Sequence, residues 1–167
     1  MVRNESLSIL VVDDSEFFAS LVADTLAADH SMSTISITNP RDALSDFETE
    51  TVDCVVSDYD MPSLDGLELL EAVRADHPNL PFILYTGKGS EEIAADAITA
   101  GVTDYLQKQV GIDQYTVLAN RIKNAVSQYR AEQKLTETTR WYSTILEHSS
   151  DYVMIVDGNG LVKYVTA

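Results

Sequence analysis

Cysteine is nearly absent from this chain. Cys54 is the only one in 167 residues, so no internal disulfide can form, as expected of a reducing compartment. Cys54 also sits within an apolar run, where a small buried hydrophobe is expected rather than a reactive thiol. Long hydrophobic runs are missing too. No stretch approaches the roughly 20 apolar residues of a membrane helix, and the opening MVRNESLSILVVDD lacks the apolar core of a secretion signal. The expected compartment is the cytoplasm. Positive charge is the third shortage, with 11 Lys and Arg against 27 Asp and Glu and a formal net charge of -16. Such a field repels nucleic acid and anionic lipid, so the expectation is no direct nucleic acid partner and no membrane.

What is present is a sizeable core. Hydrophobic residues make up 45% of the chain, which argues against global disorder, and the length suits one full domain with a remainder. Acidic residues decorate nearly every predicted helix (Glu16, Asp24, Asp46, Glu48, Glu91, Glu92, Asp96), while lysines number five. We read this as adaptation to high salt, where counterions screen self-repulsion.

Five apolar strands are expected at Ser8 to Val12, Ser33 to Thr38, Val52 to Ser57, Pro81 to Tyr85 and Val102 to Leu106. Helical stretches alternate with them. Phe18, Leu21, Val22, Thr25 and Leu26 mark the first. Asn39 and Pro40 cap and open a second holding Ala43, Leu44 and Phe47. Leu67, Leu70 and Val73 mark a third that ends before Pro78. A fourth is capped by Ser90, faces Ile93, Ala94, Ala97 and Ile98 inward, and stops at Gly101. Regular alternation of strand and helix means an α/β fold, a parallel sheet covered on both faces. A fifth helix begins near Asp113, carries Tyr115, Leu118, Ile122, Val126 and Tyr129, and runs on through Arg130 to Arg140 without Gly or Pro, as a connector or a dimer seam would. From Trp141 the texture changes. Apolar segments Tyr152 to Val156 and Leu161 to Val165 flank Asp157-Gly158-Asn159-Gly160, a hairpin signal. Two strands cannot bury a core alone, so residues 141–167 are expected to open a second, α+β domain.

Asp13 and Asp14 end the first strand, Asp58 the third, Thr86 the fourth and Lys108 the fifth. In a parallel sheet these ends share one edge, the edge at which such folds bind ligands. Three carboxylates within about 5 Å repel by roughly 3 kcal/mol per pair at an effective dielectric of 20. A cation must compensate, and a hard divalent ion with oxygen ligands, Mg²⁺ above all, fits. A carboxylate can act as a phosphoryl acceptor while a lysine and a hydroxyl hold the remaining oxygens. Singly, each residue has a plain explanation as a turn former, a strand residue or a solvated charge; the combination does not.

From Leu7 to Lys123 these motifs resemble the response regulator receiver domain of two-component signalling: VVDDS at Val11 to Ser15, DYDMPSLDG at Asp58 to Gly66, Thr86, and GVTDYLQK at Gly101 to Lys108. The resemblance implies a flavodoxin-like, doubly wound sheet of strand order 2-1-3-4-5. It implies Asp58 as phosphoacceptor, Asp14 and Asp58 as Mg²⁺ ligands, Asp13 supporting through water, and the Asp60 backbone carbonyl as a further ligand. Lys108 would hold the phosphoryl group, with Thr86 and Tyr105 as a coupled switch pair that reshapes the face made by the fourth helix, fifth strand and fifth helix. A histidine kinase or phosphotransfer protein would be the phosphodonor, and a homodimer is an open alternative. Two departures stand out. Gln109 follows Lys108 where the family has proline, so either a costly cis bond persists or the loop is rebuilt. Gly87 follows Thr86 where alanine is usual, which loosens Gly87-Lys88-Gly89.

The tail ILEHSSDYVMIVDGNGLVKYV resembles the start of a PAS domain. The implied organisation is a receiver at 1–124, a linker helix at 125–140 and a PAS-like fragment at 141–167, similar to the front of haloarchaeal hybrid signalling proteins that are often histidine kinases. No kinase catalytic motif occurs in these residues, and His30, His77 and His148 are read as surface positions. Two rival readings draw on single motifs. DYD at Asp58 to Asp60 resembles the nucleophile and general acid of haloacid dehalogenase-type phosphatases, but two strands precede it and Pro62 stands where Thr or Val is expected. Gly87-Lys88 mimics a P-loop, yet the required earlier glycine falls at Phe82.

The charge reading predicts a thermal midpoint that rises with KCl at fixed pH. Full stability in salt-free buffer overturns it.

Overall fold

The computed structural model describes residues 6–46, 51–87, 89, 91–111, 113–148 and 154–165. Strands β1 (Ser8–Val12), β2 (Ser33–Ile37), β3 (Cys54–Ser57), β4 (Phe82–Thr86) and β5 (Asp104–Gln107) alternate with helices α1 (Glu16–His30), α2 (Pro40–Asp46), α3 (Gly66–Asp76), α4 (Glu91–Thr99) and α5 (Asp113–His148). The strands form one parallel sheet in the order β2-β1-β3-β4-β5. This is the flavodoxin-like order expected above, with a long final helix. The chain divides into two compact units, 1–129 and 130–167. No helix among the described residues is long and apolar enough to cross a membrane.

Alternation along each strand builds two cores. Ile9, Val11, Cys54, Val56, Ile83 and Tyr85 face Val22 and Leu26 of α1 and Leu118, Ile122 and Val126 of α5. Leu10, Val12, Val55, Phe82 and Leu84 face Ala43 of α2, Leu69, Leu70 and Val73 of α3, and Ala97 of α4. Burial of each large aliphatic side chain contributes about 1.5–3 kcal/mol, so the sheet is a rigid platform. Its carboxyl edge carries the loops of interest.

Helix starts follow local chemistry. Ser15 caps α1, its hydroxyl accepting from the Phe18 N–H, and Asn39 Oδ1 accepts from the Arg41 N–H at α2. Asp65 caps α3 in a capping box, accepting from the N–H groups of Leu67 and Glu68 while Glu68 accepts from the Asp65 N–H. Gly101, at φ 83, turns the chain after α4. Two expectations fail: Ile98 is not inward but 72% exposed, with Ala97 taking the buried position on α4, and Phe18, placed on the apolar stripe of α1, is 45% exposed. Phe47, Glu48, Lys88, Ser90 and Tyr152 lie outside the described residues. His30 is half-buried and His77 exposed.

In the second unit, β6 (Met154–Val156) and β7 (Val162–Val165) pair antiparallel. Asp157 Oδ1 accepts from the N–H groups of Asn159 and Leu161, and Gly160 sits at φ 79. The hairpin and its Gly/Asn turn match the sequence reading.

At Gly66 the start of α3 packs directly against the backbone of the loop that follows β3. A Cβ there would lie 2.3 Å from the Asp58 backbone oxygen and 2.8 Å from Leu84 Cδ1. Backbone cannot yield cheaply, so Gly66→Ala is expected to destabilise the protein by about 1–3 kcal/mol, read as a lower urea midpoint. Burial pushes the Cys54 thiol well above the ordinary thiol range, with nearby Asp53 adding to the effect. Cys54 should therefore resist a thiol reagent at pH 8 in native protein and react fully in denaturant; fast native labelling contradicts the packing.

Candidate functional site

Two adjacent strand ends, those of β1 and β3, deliver the acidic residues to one place. The Asp13 N–H donates to the Ile37 carbonyl, continuing the β1–β2 ladder one residue past the strand, and the Asp58 N–H donates to the Val12 carbonyl at 2.8 Å. Asp13 and Asp58 are thus held by backbone pairing. Asp13, Asp14 and Asp58 each present a carboxylate oxygen within 4.8 Å of the others. Asp13 is buried, Asp58 half-buried and Asp14 exposed.

The two oxygens of Asp13 are engaged. Oδ1 accepts from the Ser15 N–H at 2.9 Å, and Oδ2 accepts from Lys108 Nζ at 2.5 Å. Asp58 uses Oδ1 to accept from the Tyr59 N–H at 2.8 Å, while its Oδ2 faces Lys108 Nζ at 3.5 Å. Lys108 is itself fixed by its backbone N–H, which donates to the Thr86 carbonyl at 2.8 Å. Among the described residues, the Lys108 ammonium stands against this group of three carboxylates. Nearly all of it is withdrawn from water, with side-chain exposures of 17% for Lys108 and 6% for Asp13.

A cleft of about 530 Å³ opens over this cluster, and Asp60, Thr86, Gly87 and Gln109 also line it. The donors are all hard carboxylate oxygens, and among the described residues they outnumber the Lys108 ammonium; both properties fit a hard divalent cation such as Mg²⁺. Thr86 is buried, 1% exposed, as the last residue of β4. Tyr105 does not line the cleft. It pairs in register with Leu84 and packs, half-buried, against the α2–α3–α4 core. Strand alternation puts Thr86 on the face of Leu84, so Thr86 and Tyr105 project to the same side of the sheet.

Several features were missed by sequence reasoning. The Lys108 ammonium lies 5.1 Å from the Phe18 ring centroid and 5.8 Å from that of Tyr85, a cation–π setting on two sides. The Tyr85 hydroxyl donates to Gln114 Oε1 at 2.7 Å, and the same oxygen accepts from the Gln109 N–H at 3.0 Å. Burial, with Tyr115 contributing, pushes the Tyr85 hydroxyl up to about 12, so it remains a donor at neutral pH. No cis peptide bond occurs among the described residues. The question raised by Gln109 is answered by a rebuilt loop: where proline has no N–H, Gln109 supplies one, and Gln114 accepts it. An aromatic three residues from a capping serine, and a glutamine in the first turn of α5, carry no signal by themselves in a sequence.

Residues 9–120 match the model of the response regulator receiver domain. Among curated proteins, the chain is 32% identical over 126 residues to the DNA-binding transcriptional regulator NtrC of Salmonella typhimurium, covering 75% of this chain. The chain spans about a quarter (26%) of that relative's length. Among solved structures, it is similar to a response regulator receiver domain protein from Clostridium thermocellum, with 27% identity and a TM-score of 0.68 over 75% of this chain and 98% of that one. It is also similar to the chemotaxis protein CheY4 of Vibrio cholerae, with 26% identity and a TM-score of 0.65 over 71% of this chain and 99% of that one.

Proposed function

The chain belongs to the response regulator receiver family, and from that premise we propose that Asp58 is its phosphoacceptor, taking a phosphoryl group from a histidine kinase or phosphotransfer protein. The observation that carries this reading is the convergence of Asp13, Asp14, Asp58 and Lys108 at one sheet edge. Asp58 Oδ2, the oxygen not held by the Tyr59 N–H, attacks phosphorus; the bond from phosphorus to the donor nitrogen breaks, and the electron pair leaves with the donor imidazole. The product is an aspartyl-phosphate, later hydrolysed by water.

Asp14, Asp58 and the Asp60 backbone carbonyl would hold Mg²⁺, which would neutralise the phosphoryl charge. Asp13, whose oxygens are already engaged, supports that site through water. Lys108 releases Asp13 far enough to hold a phosphoryl oxygen, while the Thr86 hydroxyl turns to hold another. The vacated space on the Thr86 side admits Tyr105, and the α4–β5–α5 face changes shape as the output. The haloacid dehalogenase-type alternative is disfavoured by the two strands that precede Asp58 and by Pro62 where Thr or Val is expected.

Beyond the receiver, we read 125–140 as a linker helix and 141–167 as the start of a PAS-like sensory domain. Support comes from the change of texture at Trp141 and the β6–β7 hairpin. The parent would then be a haloarchaeal hybrid signalling protein, a histidine kinase in its full form, working in the cytoplasm. NtrC is named a DNA-binding regulator, but the net charge of -16 makes this segment ill suited to touch DNA. Its direct partners in this reading are the phosphodonor and a downstream module, with a homodimer left as the open alternative.

Incubation with acetyl phosphate and Mg²⁺ should label the chain stoichiometrically, with the label lost in Asp58→Asn and on chelation. Thr86→Ala should still label but fail to change the α4–β5–α5 face, read by amide exchange. Catalytic turnover of a general phosphomonoester, or no binding of beryllofluoride with Mg²⁺, overturns the assignment.

A further inference from the structure

Lys108 must be held near Asp58 and still be free to move, and in this chain the residue after it cannot do so as a proline ring would. The backbone at Gln109 is fixed instead from the next helix. Gln114, in the first turn of α5, offers one side-chain oxygen to two donors: the Gln109 N–H at 3.0 Å and the Tyr85 hydroxyl at 2.7 Å. Tyr85 is 4% exposed within the core between the sheet and helices α1 and α5, so its hydroxyl is an immobile anchor. Its ring is also one of the two aromatic faces beside the Lys108 ammonium.

A single acceptor thus ties together the loop that follows the lysine, the strand that ends in Thr86, and the helix that forms part of the proposed output face. We propose that Gln114 is the positioning residue for Lys108 in phosphoryl transfer, a peg that takes the place of the missing proline and joins lysine movement to α5. The inference rests on the reading of Asp58 as phosphoacceptor. Gln114 does not touch the reacting atoms; it acts through the Lys108–Gln109 backbone and the Tyr85 ring. An apolar side chain of similar size removes the acceptor and leaves both donors unmatched. A glutamate keeps an acceptor oxygen in the same place.

The full chain is the material for the test, as the unaltered protein, Gln114→Leu, Gln114→Glu, Lys108→Ala and the Lys108→Ala/Gln114→Leu pair. Two quantities are read: amide exchange at Gln109 without any donor, and the rate of Mg²⁺-dependent labelling against acetyl phosphate concentration. Gln114→Leu is expected to speed exchange at Gln109 and to slow labelling at saturating donor by about fivefold, the size of one net hydrogen bond. Gln114→Glu should restore both. In the Lys108→Ala background, Gln114→Leu should change the labelling rate no further, which a general loss of stability would not reproduce. Equal labelling rates for Gln114→Leu and the unaltered chain, or a full additional loss in the double variant, overturn the proposal while leaving the acceptor role of Asp58 intact. Absence of labelling in the unaltered chain overturns both, and unchanged exchange at Gln109 rejects the peg itself.

Discussion

Three carboxylates held at one end of a parallel sheet, with the half-buried Lys108 ammonium against them, set the terms for everything else in this domain. The fold supplies the force that keeps them there. Backbone bonds from Asp13 and Asp58 are extensions of the β1 ladder, so the acids cannot part without unzipping the centre of the sheet. Lys108 answers part of their repulsion, pressed against Asp13 more closely than against Asp58. The remainder is an electrostatic debt that a divalent cation or an incoming phosphoryl–cation pair can settle. Affinity and fold stability are therefore two faces of one balance.

The two cores divide the labour. On the α1–α5 side lie Tyr85, Phe18 and Gln114, which surround the lysine and its loop. On the α2–α3–α4 side lie Thr86 and Tyr105, the pair proposed to move. Positioning is thus packed behind one face of the sheet and rearrangement behind the other. A parallel sheet permits this because neighbouring residues of β4, Tyr85 and Thr86, point in opposite directions.

Much of this was legible from residues alone. Strand runs such as Ser8–Val12 are continuous and apolar because both faces are covered, and such runs survive as sequence signals. Asp13, Asp14, Asp58, Thr86 and Lys108 were readable because strand ends in a parallel sheet must share an edge, a topological necessity that needs no coordinates. The errors have physical causes. Ile98 obeys helical spacing but faces solvent, since α4 is short and Ala97 and Ile93 already fill its contact with the sheet. The Asp65–Glu68 capping box was present in the sequence as D-x-x-E and went unread. Phe18 was read as an apolar stripe position of α1 but stands partly exposed beside Lys108, and Gln114 was not read at all, because the significance of both lies in distances to Lys108 and Gln109 that no periodicity encodes.

The lysine follows β5, a four-residue strand at the rim of the sheet, hydrogen-bonded to β4 alone. Strands in that position fray before the centre does. When β5 opens, Lys108 leaves with it and the acids lose their resident counter-charge, so the frayed form attracts cations more strongly than the closed one. Thermodynamic reciprocity then requires that any cation favouring the frayed form also promote the fraying, which couples the ionic surroundings of this acidic protein to the breathing of one of its two edge strands.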